Sequence, residues 1–360
     1  MNNVYVLDPD TLNIVGIVDT YVSCIWRPSY SEVGDFELYL GATKEFIDLL
    51  QINRYLVRSS DIEVDNGITT YNKVMIIKNI ELITNVENGD FLSITGRELK
   101  YLLHQRIVWS QTNLTGSTED AIRTLVNDNA INPTDTNRII PKLVLGATAG
   151  LTDTIEKQIT GEYLDVTIEE IATAYNYGWD IFIYNSQLVF IIYTGLDRSY
   201  NQTDRPYVVF SDSFENLYNT DYQMKTEEYA NCTLVGGEGE GVERVYRSVN
   251  NDVAGLERYE TFTDARDLSS NKGSEDEIPQ ATYYALLEER GAENLSTLKY
   301  TEGFSGEVLS NVAFIYGKDF DLGDIVTVIN EYGISKNVRV LSAIESEDES
   351  GTKLLPQFNI

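Results

Sequence analysis

The sequence predicts an α+β protein, mainly β, in which two small β-barrel-like domains flank a helix-containing α+β insertion. Apolar and polar residues alternate in short runs separated by turn residues through both ends of the chain, which is the pattern of half-buried strands. The composition agrees, because 24 of the 360 residues are Tyr, a side chain common on half-buried sheet faces. A chain of this length also exceeds what one hydrophobic core usually organises.

We place the first β domain at residues 1–105. Pro9 and Asp10 lie between two apolar runs, where Pro fixes φ and Asp bonds to the local backbone, so they predict a turn between two strands. Residues 43–50 have their apolar side chains on one helical face, and residues 97–105 predict a second helix that closes the domain. The predicted strands of this domain are residues 4–7, 14–18, 21–27, 35–40, 55–58, 73–83 and 91–96.

The insertion is placed at residues 106–200. Ser117 or Thr118 can cap its first helix, whose acidic first turn suits the positive end of the helix dipole. Helices followed by a hairpin are typical of an α+β unit. The predicted elements are helices at 119–129 and 167–176 and hairpin strands at 179–184 and 187–193.

The second β domain is placed at residues 201–360. It contains one helix at about 279–295, and Pro279 suits the first turn of that helix because its missing N–H has no partner there anyway. The charged, Ser-rich stretch 264–277 before this helix predicts a loop. The predicted strands ahead of that loop are residues 207–210, 216–226, 230–236, 242–248 and 256–262.

The stretch 314–346 is the clearest strand pattern in the chain. Its apolar and polar residues alternate on both sides of a short turn, which predicts a hairpin with one buried face. Val328 and Val340 belong to one face of this pattern, and Thr327 and Arg339 belong to the other. A charge introduced on the buried face should prevent folding, whereas a charge on the other face should be tolerated.

The net charge, the cysteine spacing and the lengths of the apolar runs each argue against particular functions. The formal charge is −30, from 57 acidic and 27 basic residues, and such a chain repels phosphates, so no stable nucleic-acid binding is expected. Cys24 and Cys232 lie far apart and show no ligand spacing, which argues against a disulfide framework or a zinc site. No signal peptide and no membrane span are predicted, since no run approaches about 18 apolar residues. We therefore expect synthesis in a cytoplasm.

The residue types that catalysis needs are scarce. His104 is the single histidine, and its place at a predicted helix end favours capping or packing over nucleophilic catalysis. The run 236–241 has four glycines but lacks the Lys-Ser/Thr ending of a phosphate loop, which favours a hairpin tip. Asp319, Asp321 and Asp324 are spaced like calcium ligands but lack the distal Glu, which favours turn capping. We predict no catalytic residue, no metal, no cofactor and no enzyme activity.

Stretches at opposite ends of the chain resemble one known family. Trp26-Arg27, Tyr30 and residues 34–38, Gly-Asp-Phe-Glu-Leu, are similar to the opening of siphophage tail hub proteins, the tail-associated baseplate or tail-tip proteins that close the tail tube. The stretches that resemble the C-terminal end of those proteins are Tyr-Gly-Lys-Asp-Phe-Asp-Leu-Gly-Asp-Ile-Val (316–326), Val-Arg-Val (338–340) and Leu-Pro-Gln-Phe (355–358).

The resemblance implies a structural protein of the virion tail. It implies a homotrimer in which six β domains form a ring that matches the six-fold tail tube. Its other implied partners are the distal tail tube protein and downstream tail fibre or receptor-binding proteins. A lumen lined with carboxylates would let DNA pass without sticking during ejection. Some members carry a C-terminal peptidase or glycan hydrolase, and we expect no such module here, because the chain ends soon after the hub-like hairpin.

Two other interpretations stay open. The chain could be a carbohydrate-binding or carbohydrate-cleaving tail protein, with Trp26, Trp109 and Trp179 as sugar platforms and pairs of carboxylates as catalysts. Against this, the three Trp residues lie in separate elements, and isolated Trp residues usually pack in cores. The chain could instead be the equivalent hub of a contractile phage or of an injection machine, which this sequence does not distinguish from a siphophage hub.

Overall fold

The computed structural model describes residues 2–86, 89–308 and 314–359. Strands provide most of the regular structure in these ranges, with a few helices between them, so the prediction of an α+β, mainly β, protein is confirmed. None of the helices in these ranges has the length and apolar character that a membrane span requires.

The first 105 residues form strands and one short helix. The helix predicted at 43–50 is present, and the Thr43 hydroxyl caps it by accepting the Phe46 N–H at 3.1 Å. The helix predicted at 97–105 is wrong, because the last strand continues through Glu98 and the chain then forms 3-10 turns over Leu99–Gln105. The three-residue period of those turns places apolar side chains inward. The elements are β1 (Val4–Leu7), β2 (Ile14–Val18), β3 (Ser23–Arg27), β4 (Asp35–Gly41), α1 (Lys44–Leu49), β5 (Tyr55–Arg58), β6 (Ile62–Asp65), β7 (Ile68–Tyr71), β8 (Met75–Asn85) and β9 (Gly89–Glu98).

Residues 106–200 contain two helices and the predicted hairpin. Ser117 caps the first helix, as predicted, since its hydroxyl accepts the Asp120 N–H at 3.3 Å. The second helix ends at Asn176, whose left-handed conformation is typical of a helix C-terminus. The elements are β10 (Thr112–Ser117), α2 (Thr118–Val126), β11 (Leu143–Leu145), β12 (Thr154–Ile159), α3 (Leu164–Tyr175), β13 (Gly178–Tyr184) and β14 (Gln187–Tyr193).

The last third of the chain returns to strands. The predicted helix is present and begins at Gln280, so Pro279 lies directly before its first turn and not within it. The strands predicted to begin at residues 242 and 256 begin later, because Gly241 and Gly255 adopt positive φ and start short 3-10 turns. The elements are β15 (Val209–Ser211), β16 (Leu217–Lys225), β17 (Cys232–Gly236), β18 (Tyr246–Val249), β19 (Glu260–Asp264), α4 (Gln280–Thr297), β20 (Thr301–Val308), β21 (Ile325–Ile329), β22 (Ser335–Asp348) and β23 (Gly351–Asn359).

One sheet of 13 strands contains both ends of the chain. Its order is β16-β20-β23-β22-β3-β4-β9-β8-β5-β1-β2, with β21 beside β22 and β15 beside β21. The antiparallel pairing of β22 with β3 joins the two ends, with Glu345 opposite Trp26 and Asp348 opposite Ser23. The main path of strands ends at β16 and at β2, so the described hydrogen-bond ladder stays open. The barrel-like shape of the domains and the boundaries after residues 105 and 200 stay predictions.

The last third of the chain contains a compact unit that was not predicted. The three-stranded sheet β18-β17-β19 packs against α4. In the sequence this unit is inserted between β16 and β20, and those two strands pair with each other. Gly291 lets the helix approach the sheet closely, because a Cβ there would lie 2.6 Å from a methyl carbon of Val235. The unit has its own buried apolar cluster, formed by Val235, Ala265, Leu268, Tyr283, Leu286 and Leu287.

The hairpin predicted at 314–346 is present as β21 and β22, but the prediction of one buried face is wrong for β21. Val326 and Val328 are fully buried, and Thr327 on the opposite face is buried as well. The Thr327 hydroxyl accepts the Tyr200 N–H at 2.8 Å, and the chain after β14 also pairs with the edge of β21 through Asp197 and Ile325. β22 alternates buried and half-buried side chains only from Val338 to Ser342. Residues 309–313 lie outside the described residues.

Candidate functional site

Tyr30 lies in the loop between β3 and β4, where it is buried next to the β13–β14 hairpin and β22. Its hydroxyl donates to the Asn176 carbonyl at 3.0 Å, and its backbone N–H donates to the Leu341 carbonyl at 2.7 Å. Gly178 and Gly323 lie against the ring, since a Cβ at either position would be 2.2 Å from the Tyr30 Cε2 atom. Tyr30, which is one of the residues that carry the family resemblance, therefore joins three separate parts of the chain.

Glu98 and Lys100 form a buried ion pair next to this junction. Lys100 Nζ lies 3.2 Å from Glu98 Oε2 and donates to the carbonyls of Ser29 at 2.5 Å and Glu32 at 2.7 Å. Glu98 Oε2 also accepts the Gly34 N–H at 2.7 Å. These polar partners supply the hydrogen bonds that a buried pair needs to offset its desolvation. The pair connects the loop between β3 and β4 to the end of β9 through these hydrogen bonds.

Burial raises the pKa of the Glu98 carboxyl from its ordinary 4.5 to about 7, while Lys100 opposes the rise and Asp180 adds to it. The folded state therefore keeps a proton that the unfolded state has already released. The contribution of Glu98 to stability is present below pH 4.5 and is lost as the pH rises to about 7. We expect Glu98→Gln, which does not titrate, to flatten this part of the pH profile.

Urea unfolding at a series of pH values measures this effect, with the free energy of unfolding of Glu98→Gln subtracted from that of the wild type. Glu37→Gln is the matched control, because Glu37 is exposed on the neighbouring β4. The difference profile should slope between about pH 4.5 and 7 for Glu98→Gln. Identical slopes for the two variants would contradict the buried position of Glu98.

Arg58 connects a strand near the start of the chain to a strand near its end. Its Nε donates to Asp61 Oδ2 at 2.7 Å and its Nη2 donates to Glu345 Oε1 at 2.6 Å. The guanidinium carbon lies 5.4 Å from the centroid of the Trp26 ring. Burial by itself lowers the pKa of Arg58, but the two carboxylates raise it above its usual range. Arg58 thus supports the β22–β3 junction from one side.

His104 is held in a stack of aromatic rings. Its ring centroid lies 4.6 Å from that of Tyr101 and 4.1 Å from that of Tyr163, and both ring pairs are nearly parallel. Nδ1 lies 3.0 Å from the carboxylate of Asp165, in the first turn of α3. These contacts join the end of the first domain to α3 and favour the packing role over a catalytic one.

The glycine run at 236–241 forms a packed turn. The Glu238 N–H donates to the Tyr283 hydroxyl at 2.8 Å, and the Glu238 carboxylate accepts bonds from the backbone and the hydroxyl of Ser270. The carboxylate inside the turn repels phosphate, so this geometry does not fit a phosphate loop. The Glu238 contacts also tie the predicted hairpin tip to the loop before α4.

The carboxylates of the acidic loop before β21 bind both within the loop and to the chain after β14. The Asp324 carboxylate accepts the Leu196 N–H at 2.6 Å, Arg198 Nε at 2.8 Å and the Asp321 N–H at 3.0 Å. Asp319 accepts the backbone N–H four residues earlier. Within the described ranges, no group of three or more His, Cys, Asp or Glu side chains is arranged to hold a metal ion.

The three Trp residues do not form a shared sugar platform. Trp26 and Trp179 are fully buried, and their indole N–H groups donate to the carbonyls of Lys73 at 2.9 Å and Ser31 at 2.6 Å. Trp109 is 66% exposed, with the Arg138 guanidinium carbon 5.0 Å from its ring centroid. Two of the three predicted platforms are therefore core residues.

One protein family matches nearly all of the sequence. The siphovirus ReqiPepy6 Gp37-like proteins match residues 3–358. The chain belongs to this family. Membership confirms the resemblance to siphophage tail proteins that was drawn from the two ends of the sequence. No curated protein sequence matches the chain.

Two solved structures share the fold of this Gp37-like chain. The tail protein from Neisseria meningitidis MC58 has a TM-score of 0.59 at 14% identity, over 100% of this chain and 96% of that chain. The 43 kDa tail protein of prophage MuSo2 from Shewanella oneidensis has a TM-score of 0.59 at 13% identity, over 99% of this chain and 98% of that chain. At such low identity the likeness concerns the fold alone.

The described surface of the Gp37-like chain carries shallow pockets. One of about 220 Å³ lies between β5 and the chain before β11, and another of about 210 Å³ lies where Gly306 and Pro356 interrupt the pairing of β20 with β23. Both are smaller than ligand sites of about 300–1,000 Å³. The two ends of the main strand path, β2 and β16, are the stronger candidates for a functional contact, because their outer edges have no strand partner among the described residues.

Proposed function

We propose that this Gp37-like protein is a structural tail hub that closes the siphophage tail tube and links it to the host-attachment apparatus. The proposal rests on the large sheet, because it joins both ends of the chain and its main path of strands ends in β2 and β16. Open sheet ends favour association, and a closed cyclic assembly covers them all. Family membership and the fold shared with two tail proteins support the same function.

The proposed assembly is a homotrimer at the distal end of the tail. Three copies form a ring below the distal tail tube protein, and tail fibre or receptor-binding proteins attach beneath it. The formal charge of −30 suits a lumen through which DNA passes without binding. In this proposal the protein is not an enzyme, in keeping with the packing contacts of His104 and the hydrogen bonds that hold the carboxylates of Asp319 and Asp324.

The siphovirus hub is favoured over the alternatives. The family description names siphoviruses, which favours a non-contractile tail over the hub of a contractile phage or an injection machine. The burial of Trp26 and Trp179 argues against the sugar platforms on which the carbohydrate-binding alternative depended.

Labelling of intact virions tests the proposal. We expect antibodies against the full chain to bind at the tail tip, and virions that lack the protein to have unfinished tails. Sedimentation of the purified full chain should give a species of three times the chain mass. Labelling of the capsid, or normal tails without the protein, would overturn the hub assignment. A tail-tip label with a different sedimentation mass would leave the location intact and overturn the trimer.

A further inference from the structure

The terminal strands of the described sheets differ in charge. The outer edge of a terminal strand presents unpaired backbone N–H and C=O groups, so its natural partner is another extended strand. Copies of a chain with a formal charge of −30 repel one another. An edge that joins two copies should therefore carry no net charge, a condition that both β2 and β16 meet.

β2 is an uncharged terminal strand of aliphatic residues, Ile-Val-Gly-Ile-Val. Ile14 and Val15 are each 45% exposed and Ile17 is 39% exposed. On one face Gly16 packs against Leu49 of α1, since a Cβ at Gly16 would lie 2.5 Å from a Leu49 methyl carbon. The opposite end of the same strand order is β16, so the large sheet offers two edges of different sequence.

β16 carries a bulge followed by a straight segment. The register shifts between Tyr218 and Asp221, where Asn219 adopts positive φ. Beyond the bulge, Asp221–Lys225 equals β2 in length and contains one acid and one base. Met224 is 55% exposed in this segment and supplies apolar surface.

Three terminal strands elsewhere in the described chain are less suited to join two copies. β6, at the end of the five-stranded sheet, carries Glu63 and Asp65. β19, at one end of the three-stranded sheet, carries Glu260 and Asp264. Inward or edge charges of this kind are a common protection against edge-to-edge pairing. At the other end of the five-stranded sheet, β11 has only three residues, and a very short edge strand is also protected.

We propose that β2 of one subunit pairs with the Asp221–Lys225 segment of β16 in the neighbouring copy, so that the large sheet continues across the subunit boundary. This inference rests on the ring proposed above and assigns its contact surfaces. The pairing is heterologous, because it uses two different edges of the same sheet, and a heterologous contact closes into a ring when its rotation permits. Within one chain the pairing of β22 with β3 joins two parts of the large sheet. The proposed pairing joins the large sheets of two chains in the same way.

Cross-linking of the full chain tests the assignment. The native thiols of Cys24 and Cys232 are buried, so engineered surface thiols react selectively. With a short bismaleimide, the double variant Ile17→Cys/Gln223→Cys should give covalent dimers and trimers, whereas each single variant should stay monomeric in denaturing gels. Val64→Cys/Gln223→Cys is the matched control, because Val64 is exposed on the terminal strand β6, and it should give no covalent oligomer.

Sedimentation supplies a second measurement. Ile17→Asp places an unpaired carboxylate in the proposed contact and should shift the purified protein from trimer to monomer, with at least an about tenfold rise in the dissociation constant. Val64→Asp should remain trimeric, and circular dichroism should match the wild type for both variants.

Each other outcome overturns the assignment. A covalent dimer of Ile17→Cys alone would show two-fold pairing of β2 with itself. A trimer that is unaffected by Ile17→Asp and is not cross-linked by the double variant would place the contact elsewhere and leave the hub function standing. A wild-type chain that stays monomeric at every concentration would also overturn the pairing, while the location in the tail is decided separately by the antibody label.

Discussion

Val328→Asp is expected to abolish soluble folding of the full chain. Val328 is fully buried in β21, between Phe210 of β15 and Lys336 of β22. An unpaired carboxylate in this apolar setting costs several kcal/mol, which is a large part of the about 5–15 kcal/mol that stabilises a typical domain. The yield of soluble protein, its circular dichroism and its thermal unfolding measure the effect.

Two further variants make this expectation specific to the core. Tyr332→Asp lies in the turn of the same hairpin, where the side chain is 84% exposed, so its free energy of unfolding should stay within about 0.5 kcal/mol of the wild type. Thr327→Asp should be severe as well, because the Thr327 hydroxyl is buried between the Tyr200 N–H and the Asn337 side chain. Equal stability of Val328→Asp and Tyr332→Asp would show that β21 is not a core strand.

Arg58→Ala is expected to lower the free energy of unfolding by about 3–5 kcal/mol, because breaking a buried ion pair leaves uncompensated charge. Removing the guanidinium leaves the carboxylates of Asp61 and Glu345 facing each other at the site, without their shared cation. The loss includes the contact of Arg58 with the Trp26 ring. Chemical denaturation of the purified variant measures the change.

Arg27→Ala is the matched control for this substitution. Arg27 pairs with Asp35 on neighbouring strands, and about a third of each side chain is exposed. A pair in that setting contributes about 0–1 kcal/mol. In the Arg58→Ala background, adding Glu345→Gln should recover part of the stability, because it removes one of the two stranded carboxylates. A loss no larger than that of Arg27→Ala would mean that the Arg58 site is open to water.

Local signals in the sequence predict elements where chain neighbours pair. Pro9 and Asp10 predicted the β1–β2 turn, and Pro279 predicted the start of α4, because these residues fix the backbone without help from distant contacts. The β6–β7 hairpin was missed, although Asn66-Gly67 is a strong hairpin turn and both residues adopt positive φ in the structure. That signal was available and was overlooked.

The order of the large sheet could not be predicted in the same way. The pairing of β22 with β3 depends on residues separated by nearly the whole chain, and alternation within one strand does not identify its neighbour. The buried charges were missed for a related reason. Lys100 stands in an apolar run, which hints at burial, but its partners Ser29 and Glu32 are fixed only by the fold.

The pairing of β22 with β3 also has a consequence for the order of events during synthesis. β3 leaves the ribosome early, whereas the residues that cover its edge are among the last to be translated. At a translation rate of about 5–20 residues per second, the edge of β3 stays unpaired for on the order of tens of seconds. Such a long-range pairing is slow to form, because the chain must close a very large loop first. Only a polypeptide translated through β22 can complete the sheet, so a prematurely terminated chain leaves the edge of β3 uncovered.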